Sequence, residues 1–424
     1  MTKIKSIVKV ADSEKNLLKF KKSYFAYLST FFLHIDGNIK SDEFIRILNE
    51  KNINACWEKP FSEQFEIAED FLLPSEICKK RFRVKLDDFK ISLKNPKKNG
   101  FMKTPLELEV ILTVYKELNV GILMLNVKLD KYTTDDLIII RQCFDGRLKF
   151  KAQLNQSFQH EKLEYFTIKE IINSYIKTIN NVFNSEIKPE KILYTNVLEI
   201  DYSTNNKKIP PVNLVKKFPR QFYGLLTGDE GWRFVPKNRA EEILSRNWTT
   251  RDFLLVLSFH YCVLSLNFKE SKSYKNYLET CKNLRNQYGE KVEKYFTFSP
   301  DFAGLNHGPL LILENASVER YLLNEILEPE ANIKDAKISS FLNERDQIIE
   351  TLNKLSYIEI KEIREMSNMI KEKMMIKNDT IEAKNKLELF EGEILIDYNK
   401  RINALIVILT ILGLIIAVIS IINL

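Results

Sequence analysis

The sequence predicts an α+β (mixed α/β) cytoplasmic domain, followed by a long helical stalk and one C-terminal transmembrane helix. Three observations predict it. Apolar runs of strand and helix character alternate through residues 1–332. A charged stretch without proline follows at 333–401. The last 23 residues, 402–424, carry no charge. A chain of 424 residues also sets an expectation of two to three domains. The divisions read from it are an N-terminal mixed α/β lobe at 1–200, a basic and aromatic α/β lobe at 201–332, a stalk at 333–401 and a membrane helix at 402–424.

In the first lobe, residues 109–130 (EVILTVYKELNVGILMLNVKLD) read as two strands around a turn at 116–119. Residues 133–144 follow as a helix, with Thr134 as the N-cap before Asp135 and Asp136. An amphipathic helix is expected at 166–183 and a strand at 192–202. In the second lobe, 221–235 reads as a hairpin with its turn at 228–231. Residues 239–246 read as a helix, and 252–268 as a core helix or a strand pair. Strands alternating with helices make the domain α/β or α+β. A short basic run, Lys79, Lys80, Arg81, Arg83 and Lys85, reads as a strand edge.

Residues 333–401 hold 13 basic and 14 acidic residues, no proline and one glycine, Gly392. Ile338, Phe341, Ile348, Leu352 and Leu355 recur at helical steps, and Ile363, Ile370 and Met374 continue the stripe. An apolar stripe on a charged helix predicts a coiled coil or bundle. Unbroken, it would extend about 100 Å. A kink or helical hairpin is expected near Asn378 and Asp379.

A helix over 402–424 would be about 34 Å long, against a hydrocarbon core of ~30 Å. Lys400 and Arg401 flank it, so the positive-inside rule places residues 1–401 in the cytoplasm, with a single pass through the membrane. The first residues, MTKIKSIVKVADSEKN, have no apolar core and predict no signal peptide. Asn403, Thr410, Gly413, Ala417 and Ser420 fall on one helix face. Small residues allow close helix approach, and polar groups inside a membrane face protein or a water path. The face therefore reads as a helix-packing surface or a pore lining.

The net charge is +7, and 207–251 holds ten basic and four acidic residues, interleaved with aromatic side chains. Cations neutralise phosphates and aromatic faces stack bases. Lys216, Lys217, Arg220, Arg233, Arg239 and Trp232 are therefore the candidate contacts for a nucleotide or single-stranded oligonucleotide. The plainer alternative is a solvated basic face, or one turned toward anionic lipid.

Five scattered cysteines without a C-x-x-C argue for a reducing compartment and against a disulfide framework. Neither they nor the four dispersed histidines have the clustering of a metal site. Phosphate-loop, dinucleotide, zinc-protease, serine-hydrolase and kinase motifs are absent from the sequence. No catalytic residue, metal or cofactor is expected, and the chain is read as a non-enzyme.

The stretch YNKRINALIVILTILGLIIAVISIINL (398–424) resembles the stalk end and first membrane helix of CorA-type divalent-cation channels. Where that family has Gly-Met-Asn, this chain has Ile421, Ile422 and Asn423, and the second span is absent. The layout is more similar to the single-span, CorA-like membrane effectors of bacterial antiphage systems, the Hailong type among them. That resemblance implies a homo-oligomer whose soluble part binds a nucleotide-type ligand and whose helices form a gated pore. The expected function is a ligand-regulated ion channel of four or five subunits, an antiviral effector contacting itself and inner-membrane lipid. The alternatives are a tail-anchored scaffold or sensor without a pore, and a membrane-tethered enzyme.

Overall fold

The computed structural model describes residues 17–35, 39–51, 53–57, 81–92, 94–95, 100–101, 105–146, 151–153, 167–186, 189–201, 209–245, 247–250, 253–268, 270–288, 308–327, 350, 353 and 361–422. Ten strands form one sheet: β1 (Lys19–Phe32), β2 (Cys56–Trp57), β3 (Phe82–Ser92), β4 (Leu106–Tyr115), β5 (Val120–Thr133), β6 (Lys151–Gln153), β7 (Leu193–Asp201), β8 (Asn247–Thr250), β9 (Leu254–Phe259) and β10 (Cys262–Asn267). Their order is β8-β9-β10-β7-β1-β5-β4-β3-β2, with β6 also on β3. Lys94–Asn95 and Gly100–Phe101 make a separate two-stranded ribbon.

The centre of the sheet is buried on both faces. Strand β5 reads VGILMLNVKLDKYT and is buried from Val120 through Val127. Such strands lose the alternation of a half-exposed sheet. The turn between β4 and β5 is the expected one: a short helical turn at Lys116–Leu118 ends on Asn119 in the left-handed conformation, φ 52°. Asparagine tolerates that region better than most residues. The apolar 252–268 segment resolves into the pair β9 and β10. Strand β10 then lies parallel to β7, so the helices between β7 and β8 serve as a crossover. The two lobes expected at 1–200 and 201–332 thus share one sheet.

Helices α1 (Ser41–Glu50), α2 (Thr134–Phe144), α3 (Ile168–Val182), α4 (Pro211–Lys217), α5 (Pro219–Thr227), α6 (Lys237–Leu244), α7 (Lys272–Tyr288), α8 (Gly308–Leu327), α9 (Lys361–Lys373) and α10 (Ile376–Ile422) complete the chain. On one sheet face Phe25 meets Phe144 of α2 at 4.8 Å, edge to face, and Phe89 lies near Tyr175 of α3. On the other, Thr195 hydrogen-bonds Ser317 of α8 at 2.9 Å. Helix α2 is capped by Thr133, not Thr134: Thr133 Oγ1 accepts from Asp136 N and Asp136 accepts from the Thr133 backbone. Thr167 and Glu170 form the same reciprocal cap on α3. Each satisfies end N–H groups that the helix cannot.

The hairpin expected at 221–235 is instead the end of a helix, a turn at 230–231 and a short helical turn at Trp232–Phe234. Pro219 opens α5, and Gly228 at φ 72° closes it with its N–H on Gly224 O. Proline at the first turn and a left-handed glycine past the last are helix punctuation.

The stalk is not one element either. The chain forms two units, one of Met1–Tyr321 with Leu355–Met375, the other of Leu322–Lys354 with Ile376–Leu424. In the first, α9 packs on β8 and β9, with Met366, Ile370 and Met374 buried. Met375, at φ 60°, separates α9 from α10, just before the expected kink. Ile338, Phe341, Ile348, Leu352 and Leu355 lie outside the described residues.

The transmembrane helix expected at 402–424 is also corrected: no helix among the described residues is long and apolar enough to cross a membrane. Helix α10 carries Glu382, Lys384, Lys386 and Glu388 in its first half. Its described side chains reach Ile411.

Candidate functional site

The basic segment folds as α4, α5, a short turn at Trp232–Phe234, and α6. Arg220 is buried, and its Nε donates to Val235 O at 2.8 Å. That bond ties the start of α5 to the residues that open α6. The end of α4, with Lys216 and Lys217, and the start of α6, with Lys237 and Arg239, are thereby brought to the same region. All four lysine and arginine side chains are exposed.

The six candidate contacts divide. Lys216, Lys217 and Arg239 face solvent, with the Lys217 ammonium 5.4 Å from the centre of the Phe218 ring. Arg220 is a structural donor. Arg233 is half-buried, stacks over Trp232 at 4.4 Å and pairs with Asp135 at 2.6 Å. Trp232 is 0% exposed. Its indole packs where a Gly224 side chain would stand, and its Nε1 donates to Asp135 Oδ1 at 3.3 Å. It therefore offers no face to a base. The exposed aromatic residue is its neighbour but one, Phe234, 88% exposed. Sequence reasoning saw Phe234 only as one of several interleaved aromatics. The signal that distinguishes it is position: Trp232 follows the tight Gly231, and Phe234 precedes Val235-Pro236, where the chain turns outward into α6.

The result is a ledge of three lysines, one arginine and one exposed phenylalanine. Among the described residues no group of three His, Cys, Asp or Glu side chains is placed to hold a metal.

On α10, Asn403 and Thr410 are exposed, and Thr410 Oγ1 donates to Ile406 O at 2.7 Å. The side chains of Gly413, Ala417 and Ser420 lie outside the described residues. Beside Asn403 and Thr410, Ile402, Leu405, Ile406, Val407, Ile408, Leu409 and Ile411 are all exposed.

Of the second basic run, Lys79 and Lys80 lie outside the described residues, Lys85 is half-exposed beside Asp88, and the two arginines do not form a solvated strand edge. Arg81 and Arg83 turn inward, where both pair with Glu314 of α8, and the Tyr115 hydroxyl donates to the same carboxylate at 3.1 Å. Burial pushes the Glu314 carboxyl up, but Arg83 and Arg81, with hydrogen bonds from Arg83 and Tyr115, outweigh it and hold the group below its usual range.

No family model, curated protein or solved structure matches the chain.

Proposed function

We propose that the protein is a ligand-regulated, self-associating membrane effector. The ledge at 216–239 takes an anionic, nucleotide-type ligand, and the apolar end of α10 engages lipid. The observation that carries the membrane part is the run of exposed large apolar side chains at 402–411. Contiguous apolar surface of this kind marks a membrane or protein contact. Removing each half-exposed Leu, Ile or Val from water is worth on the order of 1 kcal/mol, so seven together favour association by several kcal/mol. Phe234 is the one exposed large apolar residue described between residues 17 and 327, beside Lys237 and Arg239. It supplies the stacking surface, and the cations supply the phosphate contacts.

The resemblance of the layout to antiphage membrane effectors adds the expectations of four or five subunits and of ligand-regulated ion flux. Vesicles of anionic lipid loaded with a potassium-sensitive dye test both arms in one experiment. The full chain should float with the vesicles and, with ligand, change their potassium flux. Flotation without flux leaves the scaffold reading. No flotation overturns the membrane reading. Lys216→Glu with Lys217→Glu should weaken oligonucleotide binding, and wild-type binding should fall steeply with salt. Affinity indifferent to both would remove the ledge from the proposal.

A further inference from the structure

We propose that the ion pair between Lys371 of α9 and Glu319 of α8 is a latch, and that occupancy of the ledge and closure of this latch are linked. The proposal rests on the reading of the ledge as a ligand site and names the element that its ligand moves.

The latch stands where the first unit hands the chain on. Lys371 Nζ lies 2.5 Å from Glu319 Oε2, with the two side chains 9% and 2% exposed. Glu319 comes just before Tyr321, where the first unit ends inside α8. Lys371 comes one helical turn before Met375, where the unit ends a second time, and α10 opens at Ile376. Met375 holds φ 60° and is 55% exposed. Residues other than glycine rarely take that conformation, and residues at element ends absorb the backbone change of a hinge. On α9, Met366, Ser367, Ile370, Lys371 and Met374 are buried and share one helix face. Lys371 is the one charged residue among them.

Ledge and latch lie on opposite faces of the same strands. Helices α4 and α5 pack on β9, and α6 ends at Leu244, just before β8 opens at Asn247. Helix α9 packs on β8 and β9 from the face that carries α8. Across the sheet Leu257 aligns with Leu264, Leu198 and Phe25, on the face that carries α2. Val256 aligns with Ser265 and Glu199, on the face that carries α8. Residues 254–258 of β9 are all buried. A strand packed closely on both sides has no slack, so a shift of the helices on one face is felt on the other. Each charge of a buried pair is costly without its partner, so the latch is either made or broken and has no graded range. A ligand biases such an element only by preferring one of its two states.

Hydrogen exchange of the full chain, with and without a single-stranded oligothymidylate, reads the link. Binding of this probe is followed by fluorescence anisotropy, with the Lys216→Glu, Lys217→Glu protein as the ledge control. On binding, the amides of α9 should change exchange rate about fivefold or more relative to those of α3. Helix α3 lies by β3, toward the other end of the sheet from β8 and β9, so the ratio removes any uniform stabilisation by the probe. Glu319→Gln keeps the shape and removes the counter-charge of Lys371, which opens the latch. Linkage is reciprocal. This variant should therefore bind the probe about fivefold more tightly if the probe speeds α9 exchange, and about fivefold more weakly if the probe slows it. A probe that binds at the ledge and leaves α9 level with α3 overturns the latch but not the ledge. So does a folded Glu319→Gln protein whose affinity is unmoved or moves in the opposite sense, since a purely structural pair would loosen α9 without touching the ledge. If Glu319→Gln does not fold, the wild-type exchange measurement decides. No binding of the probe, or binding that survives in the Lys216→Glu, Lys217→Glu protein, overturns the ledge and the latch with it.

Discussion

Replacing Glu314 with glutamine tests the charge network that fixes α8 to the sheet. The carboxylate is fully buried and meets Arg81 at 3.3 Å, Arg83, and the Tyr115 hydroxyl at 3.1 Å. Both guanidinium groups are nearly inaccessible, their side chains 2% and 9% exposed. Glutamine keeps the shape and a carbonyl oxygen but removes the charge. Two buried cations then lose their counter-charge, which costs about 3–5 kcal/mol. Against a total stability of about 5–15 kcal/mol, that is a large fraction. The loss should appear in urea as a lower midpoint with an unchanged slope. It should also depend on pH with a defined sign. The Glu314 carboxyl sits below its usual value in the folded protein. Its contribution is therefore complete above the unfolded value, about 4.3, and is lost as pH falls through the folded value. The gap between wild type and Glu314→Gln should be constant from neutral pH down to about 5 and should narrow below about 4.3. A second protein, with Glu314→Leu, Arg81→Met and Arg83→Met together, replaces the network with apolar volume and should recover most of the loss. A Glu314→Gln protein within about 1 kcal/mol of wild type at neutral pH would refute the reasoning. So would a gap that widens on acidification.

Four further substitutions test local packing and capping. Gly224→Ala places a methyl 2.8 Å from Trp232 Cβ and Cγ and 2.9 Å from Ile138 Cδ1, so urea melts should show a loss of about 1–3 kcal/mol from overpacking. Trp232→Ala should cost about 3–5 kcal/mol of stability; Phe234→Ala should leave stability within about 0.5 kcal/mol and weaken single-stranded oligonucleotide binding about fivefold or more, as read by fluorescence anisotropy. Thr167→Ala removes half of the reciprocal cap on α3 and should lower stability by about 1 kcal/mol, measured by thermal melting monitored by circular dichroism.

The elements that were legible in the sequence are those whose ends are chemically marked. The β4–β5 pair declared itself through two apolar runs around Lys116–Asn119, and α3 through its apolar spacing. Strand β1, KFKKSYFAYLSTFF, was not singled out, although it lies between β5 and β7. It is buried on both faces from Phe25 to Phe31, so it has no alternation, and its polar start disguises the core that follows. Helix α5 was mistaken for a hairpin because glycines at 224, 228 and 231 resemble a turn. Gly228 closes the helix and Gly231 lies in the turn that follows. Gly224 is a packing glycine, since any side chain there would strike Trp232, and sequence alone does not distinguish the two uses.

For the ledge, the composition of 207–251 located the cations but not their exposure. Arginine and tryptophan are amphipathic, and each serves equally well as a surface contact or as a core donor. Arg220 and Trp232 took the core option because partly buried acceptors were at hand, the Val235 carbonyl and the Asp135 carboxylate. Lysine has no such alternative at Lys216 and Lys217, where the final turn of α4 points them into water. The same logic explains why Asn196, Arg141 and Cys262 left no trace in the sequence. They come from β7, α2 and β10, separated by up to 121 positions, and become neighbours only when β10 adds in parallel beside β7. What marks them is the hydrogen bond from Asn196 Nδ2 to Cys262 Sγ across the two strands, a property of the packed sheet and not of any local pattern.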